Sequence, residues 1–94
     1  MDQQIQLTLI GKPGCHLCDD AKLALDRVLF GFRAANPAVT VTVTELDILQ
    51  DTALATKYAE EIPVLKINDK QHSFWSIDES RLRSALDTLV SATT

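Results

Sequence analysis

The sequence lacks any cluster of positive charge. Its 94 residues contain nine lysines and arginines against thirteen acidic residues, for a net charge of -4, and no two basic residues are adjacent. Proteins that bind nucleic acid or anionic membranes through charge normally present grouped basic side chains. We therefore expect neither nucleic acid nor a membrane surface as a partner.

Long apolar runs are also missing. No stretch approaches the ~20 residues that a membrane-spanning helix needs. The opening residues, MDQQIQ, have neither the basic nor the apolar region of a secretory signal. The expected location is the cytoplasm, where two cysteines seldom form a permanent disulfide. Repeats and low-complexity segments are absent and 46% of residues are hydrophobic, so one globular domain over residues 1–94 is expected.

The first half of the chain shows the periodicities of a strand, a helix and a second strand. A strand is expected at Ile5–Ile10, where apolar and polar residues alternate. Apolar residues then recur at three- and four-residue intervals from Leu17, which predicts a helix that ends at Gly31 or at Ala35. From Val39 valines alternate with threonines, a pattern typical of a half-buried strand at a sheet edge.

The second half is expected to contain four more elements. They are a short helix capped by Asp51, a strand at Val64–Ile67, a strand at His72–Trp75 that pairs with it, and a helix beginning near Asp78. The element order β-α-β-α-β-β-α predicts an α/β fold. Because a helix joins the first two strands, they should be parallel, whereas the last two form an antiparallel hairpin. The result is a four-stranded mixed sheet flanked by helices.

Cys15 and Cys18, the only cysteines, are three positions apart at the start of the first expected helix. Residues with this spacing face the same side of a helix and can form a disulfide with little backbone movement. At the helix N-terminus unpaired N–H groups and the dipole favour a thiolate at Cys15. Lys12 adds positive charge nearby, which would favour the thiolate further, whereas the charges of Asp19 and Asp20 would disfavour it. A CxxC at this place in a βαβ unit is typical of redox proteins.

The redox hypothesis gives the two cysteines different roles. Cys15, at the exposed end, attacks a disulfide substrate, which is a protein or a small molecule. Cys18, one turn deeper, resolves the mixed disulfide, and an external thiol regenerates the pair. Two alternatives start from the same residues. The cysteines could be small buried hydrophobes, or they could bind zinc together with His16 and His72, although zinc usually has two such cysteine pairs.

Two further residues are candidates for the site. The imidazole of His16 titrates near physiological pH and could hydrogen-bond the leaving sulfur, although such a residue is more often simply solvated. Trp75 could border a substrate groove, because exposed aromatic side chains mark recognition sites. If Phe74 and Trp75 alternate on a strand, one of them must face the core.

The segments KPGCHLC, after a strand, and EIPVL, before the third strand, resemble the glutaredoxin and thioredoxin superfamily, in particular small glutaredoxin-like bacterial proteins. The resemblance implies a thioredoxin-like fold and an oxidoreductase with Cys15 as nucleophile and Cys18 as resolving cysteine. It also implies that Pro63 is cis beside the pair and that Ile62 offers backbone groups to an extended substrate. Lys12 matches a lysine that contacts glutathione in glutaredoxins.

The sequence departs from the glutaredoxin pattern where glutathione binds. Trp75-Ser76-Ile77-Asp78 replaces the usual glycine pair and acid, so Asp78 either keeps part of the glutathione role or only caps the last helix. We expect no bound cofactor; glutathione or another thiol would be the co-substrate, and the protein would be a monomer. An iron–sulfur or metal carrier with this fold, or a non-catalytic interaction domain, stays open as an alternative.

Overall fold

The computed structural model describes residues 3–92 and confirms the predicted element order. The elements are β1 (Gln4–Gly11), α1 (His16–Ala35), β2 (Thr40–Asp47), a 3-10 turn (Ile48–Gln50), α2 (Thr52–Tyr58), β3 (Val64–Ile67), β4 (Lys70–Phe74) and α3 (Glu79–Ala92). Of the described helices, none has both the length and the apolar character needed to cross a bilayer.

The four strands form one mixed sheet in the order β2-β1-β3-β4. β1 pairs with β2 in parallel, as the helical connection between them requires, and with β3 in antiparallel orientation. β3 and β4 form the expected hairpin, whose turn residues Asn68 and Asp69 both have positive φ. Short polar residues tolerate this conformation, which two-residue hairpin turns require. Because β1 and β3 are antiparallel, the C-terminal end of β1 lies beside the N-terminal end of β3.

The main core lies between the sheet and the helices α1 and α3. It contains Ile5, Leu7, Leu9, Ala21, Leu25, Val28, Leu29, Phe32, Leu65, Ile67, Leu82 and Leu86. A second cluster surrounds the end of β1 and packs against α2; its buried members are Ile10, Cys18, Ile48, Tyr58, Ile62 and Val64. The second cluster fixes where the cysteine pair sits, because Cys18 is one of its members.

Three expectations about side-chain burial were wrong. Leu17, in the first turn of α1, is 51% exposed, whereas the buried positions of this helix begin at Cys18. β2 lies at the sheet edge as predicted, but it is more exposed than half-buried, and even Val43 is 36% exposed. Phe74 and Trp75 are both exposed, because a φ of +67° at Trp75 ends the strand and its alternation. Of the two ends that the sequence left open for α1, the second is correct: the helix continues through Gly31 and ends at Ala35.

Candidate dithiol site

Cys15 occupies the N-cap position of α1, as the sequence predicts. Its extended backbone (φ -99°, ψ 114°) directs the sulfur back over the first turn, where Sγ accepts a hydrogen bond from the N–H of Cys18 at 3.2 Å. Gly14, with φ +74°, makes the turn that leads into this geometry. A half-buried sulfur therefore takes the place that a serine or aspartate oxygen commonly takes at a helix start.

Cys18 is buried, and its environment disfavours the charged thiolate. The pKa of Cys18 is raised to about 11, chiefly by burial and next by a hydrogen bond with the Cys15 side chain. A hydrogen bond from the main chain of Lys12 acts in the opposite direction, and the charges of Cys15 and Asp19 add smaller increases. Both cysteines are free thiols in this structure. The pair is therefore asymmetric, with one sulfur accessible and the other enclosed and protonated at neutral pH.

Gly11 is a site residue that the sequence analysis treated only as the break after the first strand. A Cβ atom at this position would lie 2.8 Å from Cys18 Sγ and 3.2 Å from Cys18 Cβ. No real side chain tolerates the shorter distance, so the Cys18 sulfur occupies space that only glycine leaves open. The signal in the sequence was the position itself, a glycine at the end of a central strand that leads into the CxxC loop.

The loop before β3 brings two more predicted residues to the cysteines. The peptide bond between Ile62 and Pro63 is cis, as the resemblance implied. Ile62 is buried in the same cluster as Cys18, and Cys15 packs against that cluster. The N–H of Ile62 already donates to the carbonyl of Tyr58 at 3.1 Å. Of the backbone groups that Ile62 was expected to offer, its N–H is therefore engaged within the protein.

Lys12 and His16 lie on the exposed side of the site. Lys12 lines a cleft of about 300 Å³ that reaches Cys18 and also includes Asp19. His16 is exposed as the first residue of α1. His72, by contrast, lies on β4. Among residues 3–92 there is no group of three or more His, Cys, Asp or Glu side chains placed to hold one metal ion together.

Asp78 caps the last helix. Its Oδ1 accepts from the N–H of Arg81 at 3.1 Å, and its carbonyl accepts from the N–H of Leu82 at 2.9 Å. It lines a cavity of about 380 Å³ together with His72, Trp75 and neighbouring residues, separate from the cleft at Cys18. The capping interpretation of Asp78 is thus confirmed, while its role in substrate binding stays a prediction.

These features define a class of protein. A four-stranded mixed sheet with a CxxC pair at the start of its first long helix, packed beside a cis-proline loop, is a thioredoxin-like fold with a dithiol site. The family is also identified: residues 6–87 match the Glutaredoxin-like domain (DUF836), and the chain belongs to this family. The resemblance stated from the sequence is therefore confirmed.

Individual relatives agree with this assignment. The structural-genomics target protein XcR50 from X. campestris is 33% identical, covers 87% of this chain and 96% of its own, and superposes with a TM-score of 0.67. A protein of unknown function from Staphylococcus aureus is 18% identical with a TM-score of 0.64, over 92% of this chain and 91% of its own, and supports the fold alone. An uncharacterised protein of Mycobacterium tuberculosis is 24% identical over 79 residues, which span 84% of this chain and 79% of that protein.

Proposed function

We propose that this protein is a small thiol–disulfide oxidoreductase. The observation that carries the proposal is the asymmetry of the CxxC pair: Cys15 Sγ caps α1 in a half-buried position, and the enclosed Cys18 lies one turn further along beside the loop that contains Pro63. The alternative of two small buried hydrophobes does not fit Cys15, whose sulfur is only half-buried and caps the helix. Membership of a glutaredoxin-like family supports the same chemistry.

The proposed reaction has two steps. The thiolate of Cys15 attacks one sulfur of the substrate disulfide, forming a mixed disulfide, and the other substrate sulfur leaves and takes up a proton. Cys18 then loses its proton and attacks Cys15 Sγ, which releases the second substrate thiol. The products are the Cys15–Cys18 disulfide and a dithiol substrate, so two electrons have passed from the protein to the substrate. Two equivalents of an external thiol return the protein to its reduced form.

The order of attack follows from the environments of the two sulfurs. With a pKa of about 11, Cys18 keeps its proton at neutral pH and is a poor first nucleophile. Its burial also keeps it from an incoming disulfide. Once the mixed disulfide has formed, the sulfur of Cys15 is within reach of Cys18 and has no charge, so the second attack becomes intramolecular.

The neighbouring residues are proposed to bind the substrate. An extended polypeptide would lie along Ile62 and Pro63 and use the carbonyl of Ile62, because the N–H of this residue is engaged. The exposed ammonium group of Lys12 and the imidazole of His16 would contact the substrate near Cys15. Asp78 would contact glutathione if this thiol is the reductant.

The roles of the cysteines can be tested by trapping. Cys18→Ser should accumulate a mixed disulfide on Cys15 when incubated with insulin, because the resolving thiol is missing. Cys15→Ser should accumulate far less adduct on Cys18, and peptide mass spectrometry locates the adduct in each variant. Adducts found mainly on Cys18 would reverse the roles, and two variants without adducts would refute the oxidoreductase proposal.

The reductant can be identified with the wild-type protein. The oxidised protein is incubated with glutathione and glutathione reductase, or with a thioredoxin and its reductase, and NADPH consumption is followed. The absence of the glycine pair before α3 favours a reductant other than glutathione. A Cys15→Ser/Cys18→Ser variant measures the background of both systems.

A further inference from the structure

Trp75 has a backbone conformation that an aromatic residue rarely adopts. Its φ is +67°, in the left-handed region where side chains other than glycine are strained. The residue directly follows Phe74, the last residue of β4, so the chain turns away from the sheet at this point. Such a conformation persists only where surrounding contacts hold it.

Both N–H groups of Trp75 donate to the loop before Pro63. The main-chain N–H donates to the carbonyl of Glu61 at 3.2 Å, and the indole Nε1 donates to the carbonyl of Glu60 at 2.8 Å. The ring of Phe74 packs edge-on against the indole, with centroids 4.9 Å apart and planes at 75°, which supports the orientation of the donor. One residue thus holds two consecutive carbonyl groups.

The other side of the same loop is held by α2. The N–H groups of Glu61 and Ile62 both donate to the carbonyl of Tyr58, at 2.8 and 3.1 Å. Tyr58 is buried and is the last residue of α2, so this anchor belongs to the packed core. Two N–H groups of the loop are therefore held by Tyr58, and two of its carbonyls are held by Trp75.

The loop ends at the dithiol site. Ile62 packs in the cluster that contains Cys18 and contacts Cys15, so a displacement of the carbonyls before it would change where Ile62 and Pro63 lie relative to Cys15. We propose that Trp75 is a positioning residue that clamps the loop of residues 60–63 beside Cys15 and thereby sets the affinity for disulfides carried on a polypeptide. This inference rests on the proposed function and names the substrate class that depends on the clamp.

The variant Trp75→Phe tests the clamp, because it removes the Nε1 donor and keeps an aromatic ring and the main-chain N–H. Reduced protein is mixed with increasing insulin, and formation of the Cys15–Cys18 disulfide is followed by acid quenching and mass spectrometry. The half-saturating insulin concentration should rise about three- to tenfold, the range expected for one lost hydrogen bond, with the rate at saturation unchanged. Phe30→Leu, which removes an 83% exposed aromatic ring from α1, is the matched control and should behave as wild type.

Two small reagents separate positioning from a general structural effect. Reaction with hydroxyethyl disulfide and alkylation by iodoacetamide should be unchanged in Trp75→Phe, because neither reagent lies along the loop of residues 60–63. An unchanged half-saturating insulin concentration would overturn the inference. Slower reaction with both small reagents would overturn it as well, because the cysteine pair itself would then be disturbed.

Failure of the proposed function would be recognised separately. If reduced wild-type protein forms no Cys15–Cys18 disulfide with either insulin or hydroxyethyl disulfide, the oxidoreductase proposal fails. Hydrogen exchange then decides on the clamp, since it needs no activity. Faster exchange of the Glu61 and Ile62 amides in Trp75→Phe than in Phe30→Leu supports the clamp, and equal exchange rejects it.

Discussion

At the scale of single residues, the two sulfurs of the site differ in the backbone that each one contacts. One lies at the start of α1, and the other lies against the end of β1. Cys15 Sγ lies over the first turn of α1 and accepts a hydrogen bond from the N–H of Cys18. Cys18 Sγ lies against the end of β1, in the space left by Gly11, and burial there favours the protonated form. Two sulfurs only three positions apart in the chain thus lie in different environments.

Gly11→Ala should disturb this arrangement directly. The new methyl group would lie 2.8 Å from Cys18 Sγ, so the thiol must rotate or the start of α1 must move. We expect a loss of about 1–3 kcal/mol of unfolding free energy, as for other overpacked interiors. Formation of the Cys15–Cys18 disulfide by oxidised dithiothreitol should also become slower. Urea denaturation and timed alkylation measure the two effects.

Gly31→Ala is the matched control for this change. Gly31 lies inside α1, and its new methyl group would meet only the flexible end of Arg83 at 3.2 Å. Replacing a helix-interior glycine should stabilise the protein by roughly 0.5–1 kcal/mol. The same substitution is therefore expected to have opposite signs at the two positions. A Gly11→Ala variant as stable and as readily oxidised as wild type would contradict the proposed packing of Cys18.

At the scale of elements, the sequence predicted the strands and helices whose positions depend on local periodicity and capping. The strand at Val64–Ile67 and the cap at Asp51 depend on neighbours in the chain, and both predictions were confirmed. The exposure of Leu17 and Val43 was not predictable, because it depends on how far the sheet and the helices overlap. Periodicity shows which side of an element is apolar, and it says nothing about where the covering layer ends.

In the site, too, local features were predictable and contacts between distant parts of the chain were not. Cys15 and Cys18 were predictable because their spacing and their position after a strand are local features. Contacts between Trp75 and the loop before Pro63 join residues that are distant in the chain, and the positive φ of Trp75 breaks the strand pattern used to predict its side. Gly11 was visible in the sequence, but its closeness to the Cys18 sulfur appears only when α1 packs against β1.

Asp51 caps the start of α2, and Tyr58 at the end of this helix holds the loop that contains Pro63. A substitution at Asp51 therefore tests whether the loop depends on α2. Oδ1 of Asp51 accepts from the N–H groups of Ala53 and Leu54, at 2.9 and 3.3 Å. Asp51→Ala should cost about 1 kcal/mol of stability, the usual loss for an N-cap. In a helix of seven residues the loosening should reach Tyr58 and speed hydrogen exchange at the Ile62 amide.

Asp51→Asn provides the comparison, because its side-chain oxygen can still accept both hydrogen bonds. It should remain within a few tenths of a kcal/mol of wild type and exchange the Ile62 amide at the wild-type rate. Faster exchange in Asp51→Asn as well would show that charge, and not the cap, holds α2. An Asp51→Ala variant with wild-type exchange at Ile62 would mean that the loop does not depend on this helix.

At the scale of the whole molecule, the buried thiol links folding to pH. In the unfolded chain Cys18 should ionise near its ordinary pKa of 9.0, whereas the folded protein holds its pKa at about 11. Between these values the unfolded state binds fewer protons than the folded state, so the stability of the reduced protein falls as pH rises. The contribution is fully present below pH 9 and is lost through pH 11; its total is about 3 kcal/mol.

Comparison with Cys18→Ala isolates this contribution from the lysines and tyrosine that titrate in the same range. Urea denaturation of both reduced proteins is measured from below pH 9 to about pH 11. The alanine variant loses packing by a constant amount at every pH, but it lacks the thiol that must ionise. The stability advantage of the wild type should therefore shrink across this window, while oxidised wild-type protein, which has no thiol at position 18, should show no such additional slope. A constant difference between the two reduced proteins would mean that the fold does not raise the pKa of Cys18, and burial of Cys18 would then be the only remaining reason for Cys15 to attack first.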